Sequence, residues 1–215
     1  MEHRRCEISG LCLTDTRWVI LTILLAAAVV GTTVAEADVA WKRRSSSTGD
    51  IPVPNAGSQQ TCCMVLDIDK DGVEDFVVGE RTQTPSVVWY KYNGRGWDKH
   101  VIDNTKKRPE AGGDFCDVDR DGDLDVILGQ DASGPNMWWW ENPYPDFSKP
   151  WICRNIKKSG SSKHHDQTVA DFDGDGEVEF VSWNQRAKSL LLYEIPANPK
   201  STDTWPSTTT VSYTH

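Results

Sequence analysis

Apolar residues along this chain fall in short runs separated by polar loops rich in Asp, Gly, Pro and Asn. "FVVG" (76–79), "VILG" (126–129) and "FVSW" (180–183) each follow an acidic stretch. They are β-branched or aromatic and too short for helices, so they predict strands. An aromatic run comes next in each case: "VVWYKY", "MWWWEN" and "LLLYEI". A Trp-initiated run follows, at Trp97, Trp151 and Trp205. A short run precedes each acidic stretch: "TCCMVL", "GDFC" and "QTVA". The tryptophans at 41, 97, 151 and 205 are spaced by 56, 54 and 54 residues. Four strands in about fifty residues is the size of a propeller blade. Windows opened at each Trp give blades at 41–96, 97–150 and 151–204, with 205–215 beginning a further unit. Trp97-Asp98 suggests a WD-type blade, but the dipeptide does not recur at Trp151 or Trp205.

The acidic stretches are near-copies: "DIDKDGVEDFVVG" (67–79), "DVDRDGDLDVILG" (117–129) and "DFDGDGEVEFVSW" (171–183). Each reads D-x-D-x-D-G-x-x-(D/E). Four converging carboxylates repel one another unless a cation sits among them. A hard ion such as Ca²⁺ takes roughly six to eight oxygen ligands. The expected ligands are Asp67, Asp69, Asp71 and Asp75 in the first loop and Asp117, Asp119, Asp121 and Asp125 in the second. The third loop offers Asp171, Asp173, Asp175 and Glu179. Position 7 (Val73, Asp123, Glu177) is assigned a backbone carbonyl. The glycine at position 6 supplies a turn that a Cβ resists. An EF-hand needs a Glu at position 12 and flanking helices. Here position 12 is Val78, Leu128 or Ser182, and strands follow.

The 215 residues carry a net charge of -9, of which -8 lies beyond residue 37. Three bound Ca²⁺ would bring that -8 close to neutrality, so the acidity is mostly ligand charge. No basic stripe exists to meet phosphates, which excludes nucleic acid as a partner. At the N-terminus, Arg4, Arg5 and Arg17 precede the apolar "WVILTILLAAAVV", and small residues at Ala35–Ala37 offer a cleavage site. Residues 1–37 thus read as an export signal, with an uncleaved membrane anchor as the alternative. Secretion to an extracellular or periplasmic space, where calcium is abundant, suits loops of modest affinity. Cys6 and Cys12 fall within that segment. Cys62, Cys63, Cys116 and Cys153 show no zinc spacing, and disulfides among them remain open.

At these loops the sequence resembles the FG-GAP/VCBS repeat family of extracellular β-propellers, to which the blades of integrin α chains are related. The resemblance covers about residues 39–215. It implies an all-β propeller holding Ca²⁺ between the first and second strands of each blade. Propellers close with four to eight blades. Three loops and the start of a fourth unit give the expectation of a stretch of a longer propeller.

Strands that run up and down put successive connections on alternate ends. The acidic loops and turns such as "ENPYP" share one end. The remaining loops share the other and carry Arg81, Arg108, Glu110, Gln130, Asp131, His164, His165, Trp183, Gln185 and Arg186. Variable loops on a repeated scaffold suit recognition. The first expectation is a calcium-binding module for extracellular carbohydrate or protein. The second is a catalytic propeller of polysaccharide-lyase or sugar-dehydratase type, with His165 as base beside Arg108 or Arg186. The third is a structural repeat of a large adhesin.

Overall fold

The computed structural model describes residues 40–212, nearly all of them in one compact unit, Arg44–His215. The expected signal or anchor at 1–37 lies outside the described residues. The described fold is all-β. β1 (Gln60–Leu66), β2 (Asp75–Glu80), β3 (Val87–Tyr92) and β4 (Trp97–Asp103) form one antiparallel sheet in chain order. β5 (Asp114–Cys116), β6 (Asp125–Gly129), β7 (Met137–Glu141) and β8 (Ile152–Lys157) form the second. β9 (His164–Ala170), β10 (Glu179–Asn184), β11 (Ser189–Glu194) and β12 (Ser207–Ser212) form the third. These are propeller-like blades, and the three sheets do not close into a ring.

The sheets correct the windows opened at each Trp. Trp97 begins the fourth strand of its sheet, and Trp151 and Trp205 lie one and two residues before theirs. Sheet boundaries therefore fall in the loops before β1, β5 and β9. The segment 205–215, expected to open a further unit, instead contributes β12 to the third sheet. Trp41, the first of the spacing series, lies in no strand and is 93% exposed. The physical reason is that Trp marks a packing position, not a start. Trp151 joins the core between the first two sheets, and Trp205 the core between the second and third.

Period-2 alternation sorts the middle sheet's side chains to two cores. Val126, Leu128, Trp138 and Trp140 face the first sheet, against Met64, Leu66, Val77 and Trp89. Ile127, Met137, Trp139 and Ile156 face the third, against Phe180, Tyr193 and Trp205. A sheet covered on both faces needs apolar residues at consecutive positions, which explains "VIL" and "MWWW". Close approach also requires glycine. A Cβ on Gly129 would meet the backbone and Cβ of His164 in the next sheet, and one on Gly79 would meet Cys62 and Pro109. The third sheet has Trp183 at this register position.

The outer face of the first sheet is crossed by the segment before β1. Tyr90 Oη donates to the Pro52 carbonyl at 2.8 Å, and Lys99 Nζ to those of Val53 and Pro54. A cavity of about 730 Å³ lies between them, lined in part by Ile51, Cys63, Phe76, Val78 and Tyr90. All four described cysteines are free. Burial pushes the Cys62 and Cys116 thiols up to about 12 and Cys153 to about 11, so all three are inert thiols.

Candidate metal sites and the opposite rim

Each acidic loop joins the first and second strands of its sheet, and each is built around its first aspartate. Asp67 Oδ1 and Oδ2 accept the amides of Asp71 and Gly72 at 3.1 and 2.9 Å. Asp117 does the same for Asp121 and Gly122, and Asp171 for Gly174 and Gly176. Asp71, Asp121 and Asp175 each turn an oxygen onto the amide of position 7. The glycines at position 6 adopt φ of 83°, 95° and 92°, the left-handed region that favours glycine. Position 4 is left-handed as well, in Lys70, Arg120 and Gly174.

Position 9 ties the loop to the sheet. Asp125 accepts from Val118 N at 3.0 Å and Asn142 N at 2.8 Å. Glu179 accepts from Phe172 N at 2.7 Å. Ligand-capable oxygens of Asp67, Asp69 and Asp71 lie within 4.8 Å of one another, as do those of Asp117, Asp119 and Asp125, and of Asp171, Asp173 and Glu179. Three of the four carboxylates expected per loop thus converge. Asp75, Asp121 and Asp175 complete the loops outside those tight groups.

The donor set fits a hard cation. Every side chain in the three groups is a carboxylate, and Asp69 Oδ1 and Asp123 Oδ1 are buried without a hydrogen-bond partner. Buried charge without a counter-ion shifts its own ionisation instead. Burial pushes Asp75 up to about 6 and Asp125 to about 8, against the backbone hydrogen bonds each receives. Burial, with the charges of Asp121 and Asp119, pushes Asp123 to about 7.

Several residues of this end were not expected. Asp123, assigned only a carbonyl, buries its side chain beside Asp121 and Asp119. Asn142 lies buried between two loops, donating to the carbonyls of Ile68 and Leu124, both at 3.1 Å. Lys91 bonds Asp69 and lies 3.0 Å from Asp71. Lys200 reaches from the loop after β11 to Asp119 at 2.7 Å and Glu141 at 2.9 Å. Nothing in an isolated loop motif signals a lysine arriving from another strand or sheet.

The opposite end gathers the other expected residues, as alternating strands require. A backbone ladder knits the rim loops across sheet boundaries. Asp131 N donates to Arg108 O, His164 N to Gln130 O, both at 3.0 Å, and Gln185 N to Lys163 O at 2.9 Å. Arg108 pairs with Asp131 at 2.8 Å. Arg81 pairs with Glu110, whose carboxylate also lies 3.7 Å from His165 Nε2. His164 is fully buried. Its Nε2 accepts from Lys157 Nζ at 3.1 Å, while that ammonium also donates to Ser161 and Pro135 carbonyls. Burial and the Lys157 charge press His164 down to about 4, and burial presses Lys157 down to about 8. His164, Glu110 and Asp131 are therefore buried fastenings, not ligand contacts. Arg108, named as a partner for a His165 base, spends its guanidinium on Asp131. Gln185 and Arg186 stand exposed, while Arg81, Gln130, His165 and Trp183 are half-buried.

Repeated acidic loops at one end of four-stranded antiparallel sheets define a β-blade repeat protein. The pattern of the FG-GAP-like repeat matches residues 67–128 and 117–182. The chain belongs to that family. Each match starts at one acidic loop and ends in the second strand of the following sheet. Comparison with curated proteins finds no match. Repeats of this kind make binding or structural modules.

Proposed function

We propose that this protein is a calcium-stabilised, secreted recognition module. The observation that carries the reading is three carboxylate groups, each converging within 4.8 Å in the same loop position of three sheets. Oxygen-only donors suit Ca²⁺ over zinc or copper, which favour nitrogen and sulfur. When bound, the ion supplies positive charge that removes the repulsion within each loop. The chain's own residues do the rest. Asp67, Asp117 and Asp171 fix the loop amides, while Asp125 and Glu179 bind the loop to the sheet.

The partner in this reading is an extracellular carbohydrate or protein held at the rim opposite the loops. The N-terminal apolar stretch of the sequence supports export, and an extracellular space supplies the calcium. Trp183, Gln185 and Arg186 offer an aromatic face, an amide and a cation on one strand end. Aromatic faces and planar polar groups suit sugars and protein surfaces alike. The test is calorimetry of metal-free protein titrated with calcium, followed by a glycan array probed with and without it. Absence of calcium uptake would remove the metal half of the reading. Array binding lost in Arg186→Ala would support the rim.

A further inference from the structure

The three loops are alike in sequence, but their surroundings are not. Tyr90, Trp140 and Tyr193 occupy one register position, opposite Phe76, Val126 and Phe180. The next residue is Lys91 in the first sheet, Glu141 in the second and Glu194 in the third. Lys91 turns its ammonium into the first acidic group, bonding Asp69 and lying 3.0 Å from Asp71 Oδ2. In the second sheet Glu141 draws in Lys200. That ammonium sits 2.9 Å from Glu141, 2.7 Å from Asp119 Oδ2 and 3.8 Å from Asp121 Oδ2. The backbone holds it there, because Arg154 bonds both the Lys200 carbonyl and Glu141. Among the described residues, no lysine or arginine pairs with Asp171, Asp173, Asp175 or Glu179. Glu194 instead adds a further negative charge near Asp173, Asp175 and Glu179.

An ammonium is a poor copy of calcium. It brings one charge and three donors, against two charges and six to eight coordination positions. The first site shows the shortfall. Asp69 is 9% exposed and bonds Lys91 through Oδ2, yet its Oδ1 is buried with no partner. A tethered lysine still relieves much of the repulsion in a metal-free loop. It must also be displaced, or its repulsion overcome, before a divalent ion enters.

Building on the calcium reading above, we propose that Lys91 and Lys200 are tethered counter-cations of the first and second sites. They hold these loops in the metal-free protein and compete there with calcium, so the third site fills first. The chain thus carries one open site and two guarded ones on the same loop motif.

The experiment is calcium titration by calorimetry on the full chain after chelation, with melting followed in parallel in chelator and in saturating calcium. The unaltered protein should show one tight and two weaker events. Lys91→Met should strengthen one weak event by tenfold or more, and Lys200→Met the other. Lys91→Arg, which keeps the charge, should leave the first site weak. The sign of the melting change is the sharper reading. Each Met variant should melt below the unaltered protein in chelator and above it in calcium. A drop in both conditions would make the lysines ordinary structural residues and overturn the proposal. Three equal sites, unmoved by the substitutions, would overturn it while leaving calcium binding intact. No uptake by any variant would remove both readings together.

Discussion

The two ends of these sheets handle charge in opposite ways. At the loop end, carboxylates gather by repetition: five sit between Asp117 and Asp125 alone. At the rim, buried Glu110 and Asp131 each meet a cation from a neighbouring connection, Arg81 and Arg108, while buried Glu80 is held by the amides of Gln59, Thr82 and Gln83. These rim charges are held by the chain's own groups, whereas the loop end is only partly compensated, by Lys91 and Lys200. A region that leaves like charges together at the end of a well-packed scaffold is arranged for something from outside. A region that pairs them is arranged to hold itself.

Calcium withdrawal is the largest way to test that contrast. An ion that binds only the folded state stabilises it by about 2.7 kcal/mol per site at a hundredfold excess over its dissociation constant. Three sites would move the melting temperature by on the order of 20 °C in a domain of this size. Differential scanning calorimetry with and without chelator measures it. Asp121→Ala should forfeit about one site's share, seen as a smaller calcium-dependent shift. Equal melting in both conditions would erase the difference between the ends.

The rim should break independently of calcium. Glu110→Ala leaves Arg81 half-buried without its carboxylate. Removing one member of a fully buried pair takes about 3–5 kcal/mol. Because the Arg81 side chain is 24% exposed, we expect about 2 kcal/mol, discounted for solvent screening. The loss should be the same in chelator and in calcium. A calcium-dependent loss would mean that the two ends are coupled through the sheets.

The sequence foretold the loop end far better than the rim, for a physical reason. The acidic loops are local: Asp67 bonds residues four and five positions ahead, so the motif contains its own geometry. Strand order and the two-ended placement follow from counting alternations. Non-local partners were invisible. Lys200 lies in the third sheet's loop and meets Asp119 in the second. His164 looked like a rim ligand because histidines tempt a catalytic reading, yet it is buried under Lys157 against Gly129. The Trp spacing marks the period of the repeat but not the edge of a sheet, because Trp151 packs backward onto the preceding sheet.

A pH series sharpens the comparison further. Asp123 and Asp125 have folded values raised to about 7 and 8. A raised carboxylate contributes stability that is present below its unfolded value and lost as pH rises through the folded one. His164, depressed to about 4, contributes in the other sense: its stability is present above its unfolded value and lost as pH falls toward 4. Between pH 6.5 and 8 only the loop carboxylates of this set titrate strongly. The chelated protein should therefore melt higher at pH 6.5 than at pH 8. Calcium should flatten or reverse that slope, because it binds the ionised form. A slope unchanged by calcium would detach these carboxylates from the metal.

The smallest effect belongs to the ion pair that, among the described residues, joins two acidic loops directly. Arg120 Nη2 lies 2.6 Å from Glu177 Oε2, with the side chains 59% and 61% exposed. Both groups stand in water, where an ion pair contributes about 0–1 kcal/mol and is screened by salt. The loops it joins are already fixed by Asp117 and Asp171 on their own amides, so the bridge has little geometry left to impose. Arg120→Ala should lower the melting temperature by no more than about 4 °C at low salt and by nothing measurable at 0.5 M salt. Its effect should be smaller than that of Arg108→Ala, whose partner Asp131 is 5% exposed in its side chain. The two arginines make the same kind of contact across adjacent connections, one at each end. If Arg120 proved the more damaging loss, the loop end would be held from within, and the case for an external cation would weaken with it.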